Sequence, residues 1–150
     1  MTSDLVELAD ANVLVALVVA EHPDHHAARR WLATVPRFAT TPLTETALVR
    51  LLLNPNIVTG SSGSRLTITE ALSALNAVKS QPNAVFLADS TSLADARAMT
   101  AHIQGHRQVT DAHLLSLAIA QGGVLATFDV KLANSLGARA QKHVRVIADM

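Results

Sequence analysis

Four acidic residues stand where an apolar run of the sequence gives way to a helical pattern. They are Asp10 after LVELA, Glu45 after RFATTPLT, Asp111 in QVTDAHLL and Asp129 at the end of VLATFD. In an open parallel α/β sheet the carboxyl ends of the strands share one edge, so residues distant in sequence meet there around a ligand. Carboxylate oxygens suit a hard cation such as magnesium or manganese, which favours phosphate chemistry. The four acids therefore indicate a metal site at one edge of a sheet.

Two of these acids begin helices on the side that faces the core. The residues three, four and seven positions after Glu45, and likewise after Asp111, are all apolar. An unpaired charge on such a face would cost about 1–3 kcal/mol or more, so something positive should compensate it. Taken singly, each acid also has an ordinary explanation, because the helix dipole favours acids in a first turn and Thr44 or Thr110 would serve as a cap. A shared site is favoured only because all four acids follow the ends of predicted strands.

The elements that would position the acids alternate between short apolar runs and longer helical periods, which is typical of an α/β fold with a parallel sheet covered by helices. We predict five strands, at residues 5–9, 38–40, 85–88, 124–128 and 144–147. Helices are predicted at residues 12–21, 24–33, 43–53, 66–80, 92–103 and 110–121, with a short one after Asp129. Residues 54–64, rich in Pro, Gly and Ser, are predicted to form a flexible loop.

Length and composition restrict the class of protein. A chain of 150 residues fits a single domain spanning 1–150, and 49% apolar against 16% charged residues argues against disorder. The absence of cysteine excludes disulfides and thiolate metal sites. No apolar stretch approaches the roughly 20 residues that a helix needs to cross a bilayer, and the acidic N-terminus does not resemble a secretory signal. We therefore expect a cytoplasmic protein without a membrane segment.

The charge balance argues against a general nucleic-acid-binding domain. Twelve basic residues offset twelve acidic ones, so any contact with RNA or DNA must be local. The basic residues near the C-terminus, Arg139, Lys142 and Arg145, are interpreted as solvated surface. The few aromatic rings argue against a platform for stacking several bases, and all four are predicted to lie in the core: Trp31, Phe38, Phe86 and Phe128.

Four sequence blocks resemble, in order, the successive motifs of PIN-domain proteins, and more narrowly those of the VapC toxin ribonucleases of type II toxin–antitoxin systems. The blocks are DANVLVAL from residue 10, PLTETALVR from 42, HRQVTDAHLLSLA from 106 and GGVLATFD from 122. The resemblance extends from about residue 5 to residue 135. It implies a PIN-like three-layer α/β/α sandwich with a mostly parallel central sheet of four or five strands.

The resemblance also implies an activity and a set of site residues. It implies a magnesium- or manganese-dependent endoribonuclease that cleaves RNA phosphodiester bonds with a metal-activated water. The positions that match the metal-binding quartet of the family are Asp10, Glu45, Asp111 and Asp129. Polar positions that would orient carboxylates or bound waters are matched by Asn12, Thr110 and Thr127, although a cap or a strand hydroxyl explains these residues equally well. The implied partners are a VapB-like antitoxin, an RNA substrate and a second copy of the chain.

Basic residues near the predicted edge are candidates for contacts with RNA phosphate. They are His106, Arg107, His113 and Lys131, and an ordinary solvated surface explains each of them as well. A second histidine cluster, formed by His22, His25 and His26, surrounds a predicted helix start and is not predicted to be a metal centre.

Two other functions remain open at this stage. One is a non-catalytic PIN-like scaffold that binds protein or RNA, and a functional cation site would argue against it. The other is an aspartyl-phosphate phosphatase, which also places an acid after its first strand. That enzyme class usually has a second acid two residues later, where this chain has Asn12.

Overall fold

The structure is a computed structural model that describes residues 5–58, 65–95, 103 and 105–148, except the side chain of Arg107. Its centre is a five-stranded sheet in which all neighbouring strands run parallel, in the order β3-β2-β1-β4-β5. The strands are β1 Val6–Ala9, β2 Arg37–Thr40, β3 Ala84–Phe86, β4 Val124–Thr127 and β5 Val144–Val146. The predicted parallel sheet is confirmed.

Helices connect and cover the strands. The described helices are α1 Ala11–Val18, α2 His25–Thr34, α3 Pro42–Leu53, α4 Ile68–Lys79, α5 Val109–Ala120, α6 Val130–Ser135 and α7 Ala138–Gln141. Two short 3-10 turns, Leu93–Asp95 and His106–Gln108, lie on the path from β3 to α5. None of the described helices is long and apolar enough to cross a bilayer.

The core lies on both faces of the sheet, which makes three layers. On one face Leu14, Trp31, Phe38 and Leu48 bring α1, α2 and α3 onto the strands. On the other face the buried apolar side chains belong mainly to α5 and to the strands facing it: Leu8, Leu114, Leu115, Leu117 and Leu125. Burial of each such side chain contributes about 1.5–3 kcal/mol, so the sheet is held from both sides. The predicted α/β/α sandwich is confirmed.

Several predicted boundaries are wrong by a few residues for physical reasons. The first helix ends at Val18 and not at residue 21, because Val19 is extended and Pro23 follows shortly after. Helix α4 begins at Ile68 because Thr67 and Glu70 form a capping box. Of the helix predicted at 92–103, only the turn at Leu93–Asp95 is described, since residues 96–102 lie outside the described part. In the predicted loop, residues 59–64 also lie outside it.

The prediction that all four aromatic rings are buried is wrong for Phe86. Trp31 and Phe38 are fully buried, but Phe86 is 52% exposed. Phe86 ends β3, which is an edge strand, so no strand in the described part of the chain covers its outer side. The ring is therefore available at the same end of the sheet as the predicted site.

Candidate active site at the carboxyl edge of the sheet

Asp10 occupies the junction between β1 and α1. Its backbone N–H donates to the carbonyl of Ala126 at 2.9 Å, which extends the pairing of β1 with β4 by one residue. Its Oδ1 accepts the N–H of Ala11 at 2.7 Å, and its Oδ2 accepts the Thr127 hydroxyl at 2.8 Å. The residue is only 8% exposed. Asp10 is therefore both the N-cap of α1 and a carboxyl buried at the edge of the sheet.

Thr127 links this carboxyl to its neighbours. Its hydroxyl oxygen, which is fully buried, donates to Asp10 and accepts hydrogen bonds from Asn12 Nδ2 at 3.2 Å and from the Asp129 N–H at 3.1 Å. Asn12 Oδ1 in turn accepts the N–H of Phe128 at 3.4 Å. The predicted polar residues Asn12 and Thr127 thus lie among the acids, and their geometry suits the orientation of carboxylates.

Asp111 lies at the start of α5, the helix before β4 in the chain, and Asp129 lies at the start of α6, the helix after β4. Asp129 caps α6, and its Oδ1 accepts the N–H of Leu132 at 3.0 Å. Asp111 lies in the first turn of α5. Burial raises the pKa of Asp111 from 3.8 to about 7, and the charges of Asp10 and Asp129 contribute to the rise. Such mutual repulsion requires proximity, so the structure brings these carboxyls together.

The pKa of Asp10 is raised as well, and a cavity lies beside the acids. Burial raises the pKa of Asp10, the hydrogen bonds from Thr127 and Ala11 oppose the rise, and the charge of Asp129 adds to it. A cavity of about 170 Å³ opens beside the acids, and its lining is Gln108, Asp111, Asp129, Lys131 and Leu132. The edge of the sheet therefore holds a negatively charged recess with one predicted RNA-contacting residue, Lys131, on its wall.

Glu45 has different partners from the other three acids. Its Oε2 accepts the Thr40 hydroxyl at 2.6 Å and the Lys79 ammonium at 2.9 Å. Thr40 ends β2 and Lys79 ends α4, so the carboxylate is held between two elements. Lys79 supplies the positive partner that the apolar face of α3 led us to expect for Glu45. Neither raised pKa has Glu45 among its causes, which sets this acid apart from the group formed by Asp10, Asp111 and Asp129.

The acids do not form a closed cage. In residues 5–58, 65–95, 103 and 105–148, no group of three or more His, Cys, Asp or Glu side chains has the spacing to hold a metal ion as placed. Burial raises the pKa values of two of these carboxyls, Asp10 and Asp111, and the negative charge of neighbouring acids adds to the rise. A divalent cation would relieve that repulsion, so the chemistry of the donors fits a metal once the side chains close around it.

The remaining predicted residues are spread around this edge. Thr110 and His106 are exposed, and α5 begins after Gln108 without a side-chain cap. His113 Nε2 contacts Asp89 Oδ1, and the His113 side chain is 14% exposed. The side chain of Arg107 lies outside the described residues.

The second histidine cluster takes part in local contacts at the start of α2. His22 Nδ1 accepts the N–H of Asp24 at 3.0 Å, and His25 Nδ1 lies 2.7 Å from the carbonyl oxygen of Ala16. These contacts fit the interpretation of the cluster as a helix entry.

Sequence reasoning missed Thr40, Lys79 and Asp89. Thr40 could have been predicted, because a hydroxyl at the carboxyl end of a parallel strand lies at the same edge of the sheet as the acids. Lys79 is 34 positions from Glu45, and nothing in the helical period of α4 identifies it as the partner of that acid. Asp89 follows β3 and reaches His113, 24 positions away.

Known proteins resemble the chain over nearly its full length. A family model for the PIN domain matches residues 8–135. The chain is 44% identical over 131 residues to Ribonuclease VapC29 of Mycobacterium tuberculosis H37Rv, covering 87% of this chain and 90% of that protein. It is 37% identical over 137 residues to Ribonuclease VapC39 of the same strain, covering 89% and 96%. The fold matches VapBC2 from Rickettsia felis, solved bound to a DNA fragment from their promoter, with a TM-score of 0.63 and 16% identity over 96% of this chain and 100% of that one.

Proposed function

Because the chain belongs to the PIN-domain family as a protein of the VapC type, we propose that it is the ribonuclease toxin of a VapBC-type toxin–antitoxin pair and requires a divalent metal. The observation that carries the proposal is the group of carboxyls at the edge of the sheet: Thr127 joins Asp10 to Asp129, and Asp129 and Asp111 line the same cavity. A partly buried cluster of like charges is costly to fold, and a cation-dependent reaction on phosphate gives it a use.

The residues that would hold the cation are those three acids, with Glu45 as the fourth. A bound magnesium or manganese ion supplies positive charge that polarises the scissile phosphate and an attacking water. Each Asp10 oxygen already accepts one hydrogen bond, and a carboxylate oxygen can accept two, so each keeps one position for a ligand. The Oε1 atom of Glu45 accepts no hydrogen bond from a described residue, which makes it the oxygen available to a ligand.

The surrounding polar residues keep the acids in place. Thr127 donates to Asp10 and accepts from Asp129, so one hydroxyl fixes the distance between the ends of β1 and β4. The pKa of Asp111, raised to about 7 chiefly by burial, means that this carboxyl keeps its proton to a higher pH than an ordinary aspartate does. That proton must leave before the carboxylate can bind a cation.

The proposal extends to partners and location. A VapB-like antitoxin would neutralise the activity by covering the acidic recess, and the toxin would act as a homodimer in the cytoplasm on an RNA substrate. A neutral molecule with one concentrated acidic recess is suited to a partner that brings a basic side chain to it.

The direct test is cleavage of RNA by the purified protein with magnesium or manganese, and then with a chelator. We expect cleavage that the chelator abolishes and that falls at least about 100-fold in Asp10→Asn and Asp111→Asn. Asp24→Asn is the matched control, since Asp24 precedes α2 and its side chain makes no capping bond there. Cleavage that survives chelation would contradict the proposed chemistry, and metal-independent RNA binding without cleavage would favour the non-catalytic scaffold.

A further inference from the structure

An exposed aromatic ring and an ammonium group lie in contact beside Glu45. Phe86 is 52% exposed at the end of β3, and Lys79 Nζ lies 4.5 Å from the centroid of its ring. The same ammonium donates to Glu45 Oε2 at 2.9 Å, and the Lys79 side chain is 38% exposed. Ring, cation and candidate catalytic carboxylate therefore form one contiguous cluster on the surface.

Two members of this cluster, Glu45 and Phe86, lie on the wall of a groove between α3 and α4. The groove has a volume of about 600 Å³, which is within the usual range of ligand-binding pockets. Besides Glu45 and Phe86, its lining includes Pro42, Val49, Leu72, Leu75 and Arg50. A single exposed apolar residue needs no explanation, but a ring set in an apolar groove next to a reactive edge offers a binding surface.

We propose that Phe86 and Lys79 form a nucleotide-binding subsite, in which the ring stacks on a base of single-stranded RNA and the ammonium donates to a neighbouring phosphate. The inference rests on the proposed ribonuclease function and identifies where the strand next to the cleaved bond would lie. Lys79 lies against the ring and Phe86 is still 52% exposed, so we expect the uncovered part of the ring to accept a base. An ammonium has three N–H donors, of which Glu45 takes one and the ring face attracts a second, so a third remains for phosphate.

Charge favours RNA over a protein segment as the occupant of this groove. Its lining contains the cation Arg50. Lys79 contacts two of the lining residues, Glu45 and Phe86, and the acid Glu45 is already paired with that lysine. The whole chain has no net charge, so an excess of positive charge here is a local feature of the kind that phosphate contacts require. Lys79 contacts both Glu45 and the ring of Phe86. A phosphate bound at the subsite would therefore contact the ammonium group that already pairs with the Glu45 carboxylate.

The test measures binding of a fluorescein-labelled single-stranded oligoribonucleotide of about ten nucleotides to the full-length protein, with chelator present to prevent cleavage. We expect Phe86→Ala to raise Kd about tenfold and Phe86→Leu to do the same, because an apolar side chain without a ring cannot stack. Phe86→Trp should bind RNA as tightly as wild type does. RNA should quench the fluorescence of the new exposed indole, while the fluorescence of the buried Trp31 stays constant. Ile68→Ala, an exposed apolar change at the start of α4, is the control.

The lysine is tested through the salt dependence of the same binding. Lys79→Ala should reduce the slope of log Kd against log salt by about 0.7, the value for one phosphate contact on a single strand, and Lys79→Arg should keep it. Unchanged RNA affinity in Phe86→Ala would overturn the subsite, and loss of antitoxin binding instead would assign the groove to a protein. Failure of the proposed function is distinguishable, since a protein that does not cleave RNA with metal can still bind it through Phe86.

Discussion

At the scale of single residues, the site depends on how a few polar atoms are shared. The Thr127 hydroxyl makes three hydrogen bonds, to Asp10, Asn12 and the backbone of Asp129. Its donation to Asp10 lowers the pKa of a carboxyl that burial otherwise raises. One buried hydroxyl therefore both joins the strand ends and keeps an acid closer to its ionised form.

Replacement of this hydroxyl should harm both stability and activity. Thr127→Val leaves an Asp10 oxygen and the Asp129 N–H without their partner, so we expect a loss of about 1–3 kcal/mol in unfolding free energy. RNA cleavage should fall as well, because Asp10 becomes harder to ionise. Thr127→Ser keeps the hydroxyl and should retain most activity. Urea denaturation and a cleavage assay measure the two effects, and equal behaviour of the Val and Ser variants would contradict the role of the hydroxyl.

Asp111 should make the stability of the metal-free protein depend on pH. The pKa of Asp111 in the folded protein, about 7, lies above the ordinary value of 3.8. The contribution of Asp111 to the free energy of unfolding is therefore fully present below about pH 4 and is lost as the pH rises through 7. Asp111→Asn removes that loss. Relative to wild type, the variant should become more stable as the pH rises from 4 to 8. We expect a gain of only about 1 kcal/mol in unfolding free energy, because Asp111 is partly exposed and solvent screens its charge.

Thermal denaturation in chelator at a series of pH values measures this difference. Asp24→Asn should show no such trend. A difference between Asp111→Asn and wild type that stays constant from pH 4 to pH 8 would contradict the raised pKa.

At the scale of elements, the pairing of β1 with β4 positions the site. Gly123 precedes β4, and a Cβ added there would lie 2.2 Å from the carbonyl oxygen of Val6. Only glycine allows the two strands to approach so closely at this end. The other end of the same pair carries Asp10 and Thr127, so we expect the spacing at the start of the strands to affect the position of the acids.

Gly123→Ala should therefore damage the site from a distance. The added methyl has to push β4 away from β1, which we expect to cost about 1–3 kcal/mol and to reduce RNA cleavage. Gly105→Ala is the matched control, because nothing lies within 4 Å of a Cβ at that position. Stability curves for both variants measure the effect, and equal stability of the two would show that the close approach does not matter.

At the scale of the whole molecule, topology explains which parts of the site were predictable. Asp10 and Asp129 follow neighbouring strands, so recognising the strands was sufficient to place them together. The pairing of Glu45 with Lys79 joins α3 to α4 and depends on packing that no local pattern contains. Phe86 was predicted as core because its strand is apolar, and only the strand order shows that the strand is an edge.

The ion pair between the buried Glu7 on β1 and Arg145 could not be predicted from the sequence either. Glu7 is 4% exposed and accepts hydrogen bonds from Trp31 at 2.8 Å and from Arg145 at 2.6 Å. Arg145 had been interpreted as solvated surface, which is true of about half of its side chain and wrong for its charged end. The basic composition of the C-terminus could not identify this partner, because Glu7 is 138 positions away.

In the proposed function, carboxyls from three separate segments of the chain form one cation site. Calorimetric titration of the metal-free protein with Mn²⁺ measures this directly, with Asp10→Asn and Asp111→Asn beside the control Asp24→Asn. We expect Mn²⁺ to bind to wild type and to the control, and its affinity to fall at least about tenfold in each site variant. Binding that is absent from wild type, or that persists unchanged in both site variants, would contradict it.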